Sequence, residues 1–275
     1  MTLEFTKMHG LGNDFVVLDG VSSSVSVDGD LVRLLGDRHR GVGCDQVLLI
    51  EPAAGAADFS YRIFNADGGE VEQCGNGARC VARFVRDRGL TDADRIAFST
   101  LAGMIRTQLI PDGRVAVDMG VPRFEPPEIP FDAPERADRY ALEAGGATWE
   151  IGAVSMGNPH AVLFVDDVEH APVTELGPVI EHHPRFPRRA NVGFMQMIDP
   201  ARIALRVWER GAGETAACGT GACAAVAVGR RLGWLDASVT VALPGGELVI
   251  DWAGADNPLW MTGAAETAFH GTLTR

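Results

Sequence analysis

Apolar and polar positions alternate in many short runs bounded by Gly, Pro and Asp. Residues 15–19, 46–50, 61–64, 96–99, 104–110 and 115–119 read as strands, and so do 161–165, 193–197, 203–208, 239–243 and 248–252. Pro111-Asp112-Gly113 and Pro244-Gly245-Gly246 read as hairpin turns. Three segments have helical spacing instead. Residues 30–38 place Leu31, Leu34 and Leu35 on one face, and 76–88 carry Val81, Phe84 and Val85. Residues 220–232 are small and apolar until their end. A helix apolar all round must be buried all round, so this one belongs inside a wrapped sheet. Residues 122–146 are rich in Pro, Glu and Asp. They read as the least structured part of the chain and as a crossing between domains.

The chain repeats itself. Gly69-Glu70-x3-Cys74-Gly75-Asn76-Gly77-Ala78 matches Gly213-Glu214-x3-Cys218-Gly219-Thr220-Gly221-Ala222 at an offset of 144 residues (213 − 69). Gly12-Asn13 before an apolar run matches Gly157-Asn158 at an offset of 145 (157 − 12), and Gln46 stands where Asn191 stands. Three blocks in one order at nearly one offset imply two lobes of similar mixed α/β fold related by a pseudo-twofold. The expected division is 1–118 and 119–261.

Composition removes several functions. Apolar residues make up 46% and charged ones 22% of the chain, the balance of a globular protein. The formal charge of −13, without a basic block, argues against nucleic-acid and anionic-membrane partners. No run approaches the roughly 20 apolar residues of a membrane span, and the N-terminus has no leader pattern. The expectation is a soluble cytoplasmic protein. The single lysine, Lys7, precedes any pocket-forming loop and makes pyridoxal phosphate catalysis a poor fit, so no cofactor is expected. Five cysteines at irregular spacing do not form a secreted disulfide framework.

Two of those cysteines carry chemistry. Cys74 and Cys218 each precede a Gly-x-Gly turn that opens a helix. The glycines let backbone N–H groups approach a ligand, and the helix N-terminus attracts a carboxylate. The same field favours thiolate over thiol. A pseudo-twofold would set two sulfurs on opposite faces of one α-carbon. One, as thiolate, would remove the α-proton, and the other, as thiol, would return a proton to the opposite face. Cys44, Cys80 and Cys223 read as packing residues. Cys-x5-Cys and Cys-x4-Cys pairs with no nearby His do not suit zinc. A Cys74–Cys218 disulfide is conceivable on oxidation and would inactivate.

At these residues the sequence resembles the diaminopimelate epimerase family. The resemblance rests on Met8-His-Gly-Leu-Gly-Asn-Asp-Phe15, Arg40-Gly-Val-Gly-Cys-Asp-Gln-Val47, Phe64-Asn-Ala-Asp-Gly68, Cys74-Gly-Asn-Gly-Ala-Arg-Cys80, Gly157-Asn-Pro-His160, Asn191-Val-Gly193 and Glu209-Arg-Gly-Ala-Gly-Glu214 leading to Cys218-Gly-Thr-Gly-Ala-Cys223. It implies two lobes, each a mixed barrel-like sheet around a central helix, with the site in the cleft between them and a final strand, 262–275, that returns to the N-terminal lobe. It implies epimerisation of diaminopimelate in lysine and cell-wall precursor synthesis, without pyridoxal phosphate, by a homodimer. Cys74 and Cys218 resemble the two bases. Backbone groups of Gly75, Asn76, Gly219 and Thr220 would hold the reacting carboxylate. Asn13, Gln46, Asn65, Asn158, Asn191, Glu209 and Arg210 match substrate-binding positions, and His160 and Glu209 match positions that adjust cysteine protonation. The chemistry of a two-ended substrate agrees, since its far carboxylate needs a cation and its far ammonium needs acceptors.

Two other readings compete. A proline or hydroxyproline racemase shares paired cysteines but binds a small ring, which Glu209, Arg210 and the amides suit less well. A non-catalytic amino-acid clamp has no need of a Cys at each helix start.

Overall fold

The computed structural model describes residues 2–71 and 75–274. The chain divides into two compact units, Met1–Asp118 with Thr262–Arg275, and Met119–Met261.

In the first unit the strands lie side by side in the order Glu266–Thr274, Thr2–Gly10, Asn13–Asp19, Gln46–Pro52, Phe59–Asn65, Arg95–Thr100, Gly103–Leu109 and Val115–Asp118. Neighbours are antiparallel except at two steps. Asn13–Asp19 runs parallel to Gln46–Pro52, and Phe59–Asn65 parallel to Arg95–Thr100. A parallel step cannot be joined by a tight turn and needs a crossover. The two crossovers carry the two helices, α1 (Gly29–Gly36) and α2 (Gly75–Asp87). Asp28 caps α1, accepting from Leu31 N at 2.8 Å. Leu31, Val32 and Leu35 of α1 pack with Val16, Val47 and Leu49. Helix α2 packs against the second strand of the order, Thr2–Gly10, and against the last, Val115–Asp118, so the sheet wraps around it.

The second unit repeats this plan. Its order is Tyr140–Ala144, Ala147–Ser155, Pro159–Phe164, Asn191–Asp199, Arg202–Glu209, Ser238–Leu243 and Gly246–Asp251. The parallel steps fall at equivalent places, and their crossovers carry α3 (Val173–Glu181) and α4 (Gly219–Arg231). Ala222 through Val228 of α4 are buried without interruption. Gly152 lets its strand close on this helix, because a Cβ there would lie 2.3 Å from Val228 Cγ1. Among the described residues no helix is long and apolar enough to cross a membrane.

Three differences from the sequence reading have physical causes. Residues 122–146 are not a loose crossing. Ile129 and Phe131 are buried, Phe131 meets Phe186 at 4.6 Å and Tyr140 at 4.8 Å between ring centroids, and Tyr140–Ala144 is a strand that alternates buried and exposed. Surface charge in this segment hides a sparse apolar stripe. Helix α3 contains Gly177 and Pro178, which read as breakers. Strands Thr2–Gly10 and Ala147–Ser155 escaped notice because their first halves mix exposed polar residues with only half-buried apolar ones, Leu3 and Phe5 in one and Trp149 in the other.

Candidate active site

Cys74, the first thiol of the repeat, lies outside the described residues. Helix α2 starts at the next position, Gly75, so the N–H groups of Gly75 and Asn76 belong to its first turn. Asn13 follows a two-residue turn in which Leu11 and Gly12 have φ of 56° and 85°. Two positive φ values define the type I′ hairpin, whose twist matches that of its strands. Asn13 Nδ2 donates to Asp45 Oδ2 at 3.0 Å, and Asn13 Oδ1 accepts from Asn76 Nδ2 at 3.2 Å. Asn76 Oδ1 in turn accepts from Arg79 Nη2 at 2.9 Å. Arginine only donates and a carboxylate only accepts, so the orientation of both amides is determined. Gln46 Nε2 donates to Asn65 Oδ1 at 2.9 Å, across a register that sets these two residues opposite one another. The candidate residues of this unit thus form two touching pairs, Asn13 with Asn76 and Gln46 with Asn65.

A charged cluster stands behind the first pair. Lys7 Nζ lies 2.6 Å from Asp14 Oδ2 and also donates to Gly43 O. Arg38 grips both Asp14 oxygens at 2.8 and 2.9 Å and reaches Asp45 Oδ1 at 2.8 Å. Burial alone would raise the Asp14 carboxyl, but the bonds from Arg38 and Lys7 outweigh it and hold the group well below the usual carboxylate range. The Cys44 thiol is pushed up to about 11 by burial, which suits a packing role. Lys7, Asp14, Arg38, Asp45 and Arg79 have no role in the sequence reading. Asp14 and Asp45 directly follow Asn13 and precede Gln46 in the quoted blocks, which was the available signal.

In the second unit Cys218 is the N-cap of α4. Its Sγ accepts from Gly221 N at 3.3 Å, the part that a Ser or Asp oxygen commonly plays. Gly221 has no Cβ to intrude; one would lie 3.2 Å from Sγ and 3.0 Å from Val207 Cγ2. Thr220 Oγ1 lies 3.6 Å from the sulfur. The Glu209 carboxyl is hydrogen-bonded to Thr215 Oγ1 and to the Cys218 thiol. The helix-end field favours the thiolate, yet burial first and the Glu209 charge second push the Cys218 thiol far above its ordinary value. Burial also raises Glu209, partly offset by its two hydrogen bonds. The sulfur therefore holds its proton.

Asn158 Oδ1 lies 3.0 Å from His160 Nε2, and Asn158 Nδ2 donates to Thr220 Oγ1 at 3.3 Å. His160 is buried, and burial with the nearby Arg210 charge pushes its pKa down to about 3. The ring is neutral. Asn191 pairs with His160 across the parallel step, donates to Pro159 O at 3.0 Å and accepts from Arg210 N at 3.0 Å. The Arg210 guanidinium donates to Arg188 O at 3.0 Å and is exposed. So Glu209 and Arg210, adjacent in sequence, part company: one faces the sulfur and the other faces outward.

Glu181 was also missed. It is buried, and its carboxylate receives Trp208 Nε1 at 2.8 Å and Gly211 N at 3.0 Å, which shapes the turn after Glu209. A Glu before two His at a helix end reads as a solvent residue, so no sequence signal marked it. A cavity of about 450 Å³ opens at the other end of α4, beside Arg230, Arg231 and Trp252, and none of the described candidate residues lines it.

A helix wrapped by a sheet with two helical crossovers is a fold with solved relatives. The chain aligns over 99% of its length with a hydroxyproline epimerase from Agrobacterium vitis, at a TM-score of 0.70, 18% identity and 92% of that chain. It aligns over 100% of both chains with a PhzF-family phenazine biosynthesis protein of Bacillus anthracis, at a TM-score of 0.69 and 16% identity. The fold is therefore the one found in these proteins. A family model described as diaminopimelate epimerase matches residues 5–125 and 152–268. Curated diaminopimelate epimerases of Thioalkalivibrio sulfidiphilus and Alkalilimnicola ehrlichii are 62% and 60% identical over 99% of this chain and 99% of theirs. The chain belongs to the diaminopimelate epimerase family, whose members are isomerases.

Proposed function

We propose that this chain interconverts LL- and meso-diaminopimelate by a two-thiol mechanism that uses no pyridoxal phosphate, and that it serves lysine and peptidoglycan precursor synthesis. The observation that carries the reading is Cys218: a protonated thiol at the cap of a buried helix, with Glu209 beside it and the α4 amides next to it. In one direction Cys74, as thiolate, takes the α-proton, and the C–H electron pair stays on carbon. Cys218 then gives its S–H proton to the opposite face and becomes the thiolate. Cys74 is left as thiol, so the pair is ready for the reverse reaction. Charge that builds on the α-carboxylate is met by N–H groups of Gly75, Asn76, Gly219 and Thr220 at two helix starts.

Asn13, Gln46, Asn65, Asn158, Asn191 and Arg210 bind the rest of the substrate. The outward guanidinium of Arg210 suits the far carboxylate. His160 and Glu209 adjust the protonation of the cysteines. A homodimer in the cytoplasm completes the proposal. The strand Glu266–Thr274 supports the dimer, since it is exposed along most of its length and presents Phe269, which is 49% exposed.

Incubation of the reduced chain with LL-diaminopimelate in D2O tests the reading. The expected result is meso product with deuterium at the inverted α-carbon, lost by orders of magnitude in Cys218→Ala with the fold intact. Full activity in that variant, or equal activity on hydroxyproline, would overturn it.

A further inference from the structure

Positions 13 and 158 are equivalent in the repeat, and so are 76 and 220. The contact between them is present in both units but runs in opposite directions. In the first unit the helix residue donates, Asn76 Nδ2 to Asn13 Oδ1. In the second the loop residue donates, Asn158 Nδ2 to Thr220 Oγ1.

Charged ends explain the first direction. Arg79 engages the oxygen of Asn76, and Asp45 engages the nitrogen of Asn13. Their counterparts at the same offsets are Cys223 and Ala190, which supply neither charge. His160 takes over instead. Its ring is neutral, and with Nε2 carrying the hydrogen it donates to Asn158 Oδ1, which turns the Asn158 amine toward Thr220. The Thr220 oxygen then accepts, and its own hydrogen is left for the Cys218 sulfur.

We infer that the Thr220 hydroxyl is a positioning donor to Cys218, aimed by His160 through Asn158, an assignment that rests on the two-thiol reading. The sulfur then has two sides. Among the described residues Glu209, from the strand Arg202–Glu209, is the charged group that faces it and accepts its S–H. Gly221 N–H and Thr220 O–H face it as donors. When Cys218 gives up its proton, those two donors receive the negative charge. A backbone donor and a hydroxyl together replace part of the water that burial removes.

The test reads Cys218 without substrate. Alkylation of the Cys218 peptide by iodoacetamide is followed by mass spectrometry across pH on the full reduced chain. Thr220→Val and Thr220→Ala should each move the pH midpoint up by about one unit, and Thr220→Ser should restore it. His160→Phe should move it in the same direction. Folding of each variant is checked by circular dichroism. A wild-type midpoint in folded Thr220→Val or Thr220→Ala, or no recovery in Thr220→Ser, would overturn the assignment. Because the readout is alkylation and not turnover, failure of the two-thiol reading shows separately, as epimerisation that survives in Cys218→Ala.

Discussion

The Cys218 thiol donates to the Glu209 carboxyl in a buried corner, and that bond lowers Glu209 while the Glu209 charge raises Cys218. The proton between them rests on sulfur. Glu209→Gln removes the charge and keeps the shape. The expected outcome is a Cys218 that ionises more readily, with its alkylation midpoint down by about one pH unit or more. Epimerisation should fall as well, because the variant side chain no longer offers the carboxylate that accepts the Cys218 S–H and holds the sulfur in place. A midpoint that stays put would show that burial alone governs the sulfur.

His160 makes a prediction of opposite kind, about what does not titrate. Its folded pKa lies at about 3, set by burial and by Arg210. The unfolded value is about 6.5. Between these two values the unfolded chain binds a proton that the folded chain does not, so stability from this group is lost as pH falls below about 6.5. His160→Gln should flatten the acid side of the stability curve, measured by urea unfolding at about pH 7 and about pH 4.5. In the wild type, the imidazole NMR shifts of His160 should stay constant from about pH 8 to about pH 5. A titration near pH 6.5 would contradict the buried neutral ring.

These groups show where reading from sequence works and where it stops. Cys218, Asn13, Asn158 and the helix starts were legible because they repeat at a near-constant offset with turn glycines around them. A periodic pattern survives translation along the chain. The supporting residues do not repeat. Asp45 has Ala190 as its counterpart, and Arg79 has Cys223. Each unit therefore orients its amides by different means, and self-comparison cannot find non-equivalent parts. Helix α3 was hidden for a related reason. Gly177 reads as a breaker, but its missing Cβ is what admits Trp208, whose Cγ would lie 2.5 Å from one. Tertiary packing decides there, and local propensity loses.

Asp14 should be the carboxylate that matters for acid tolerance. Its folded value is depressed by Arg38 and Lys7 despite burial, against about 3.9 unfolded. A depressed carboxylate contributes stability above its unfolded pKa and loses it as pH falls through the folded value. Asp14→Asn leaves two cations without their shared partner and should cost about 1.5–3 kcal/mol near neutral pH. The gap from wild type should narrow progressively below about pH 4, where the unfolded chain protonates residue 14 while folded wild-type Asp14 still resists the proton. Urea unfolding at several pH values measures this. A gap that stays constant in acid would mean that packing around residue 14, and not its charge, carries the stability.

Gly221→Ala separates helix energetics from the geometry of the sulfur. Alanine is the better helix former by about 1 kcal/mol, so an isolated α4 would gain. In place, the new methyl would lie 3.2 Å from Cys218 Sγ and 3.0 Å from Val207 Cγ2, closer than such contacts normally come. Val207 is buried and sits on a paired strand, so it has little room to retreat. The sulfur is the softer neighbour and should give way, which lengthens the 3.3 Å bond from residue 221 N and turns Sγ off the cap. Propensity and clash then largely offset each other in stability, and the melting temperature should move by only a few degrees. Turnover should fall by about 10²-fold, the scale of a 1 Å misplacement of a reacting group. Measured together, a small thermal shift with a large loss in kcat supports the cap as the device that aims the thiol. A large thermal shift with kcat retained in the folded fraction would assign Gly221 to packing alone.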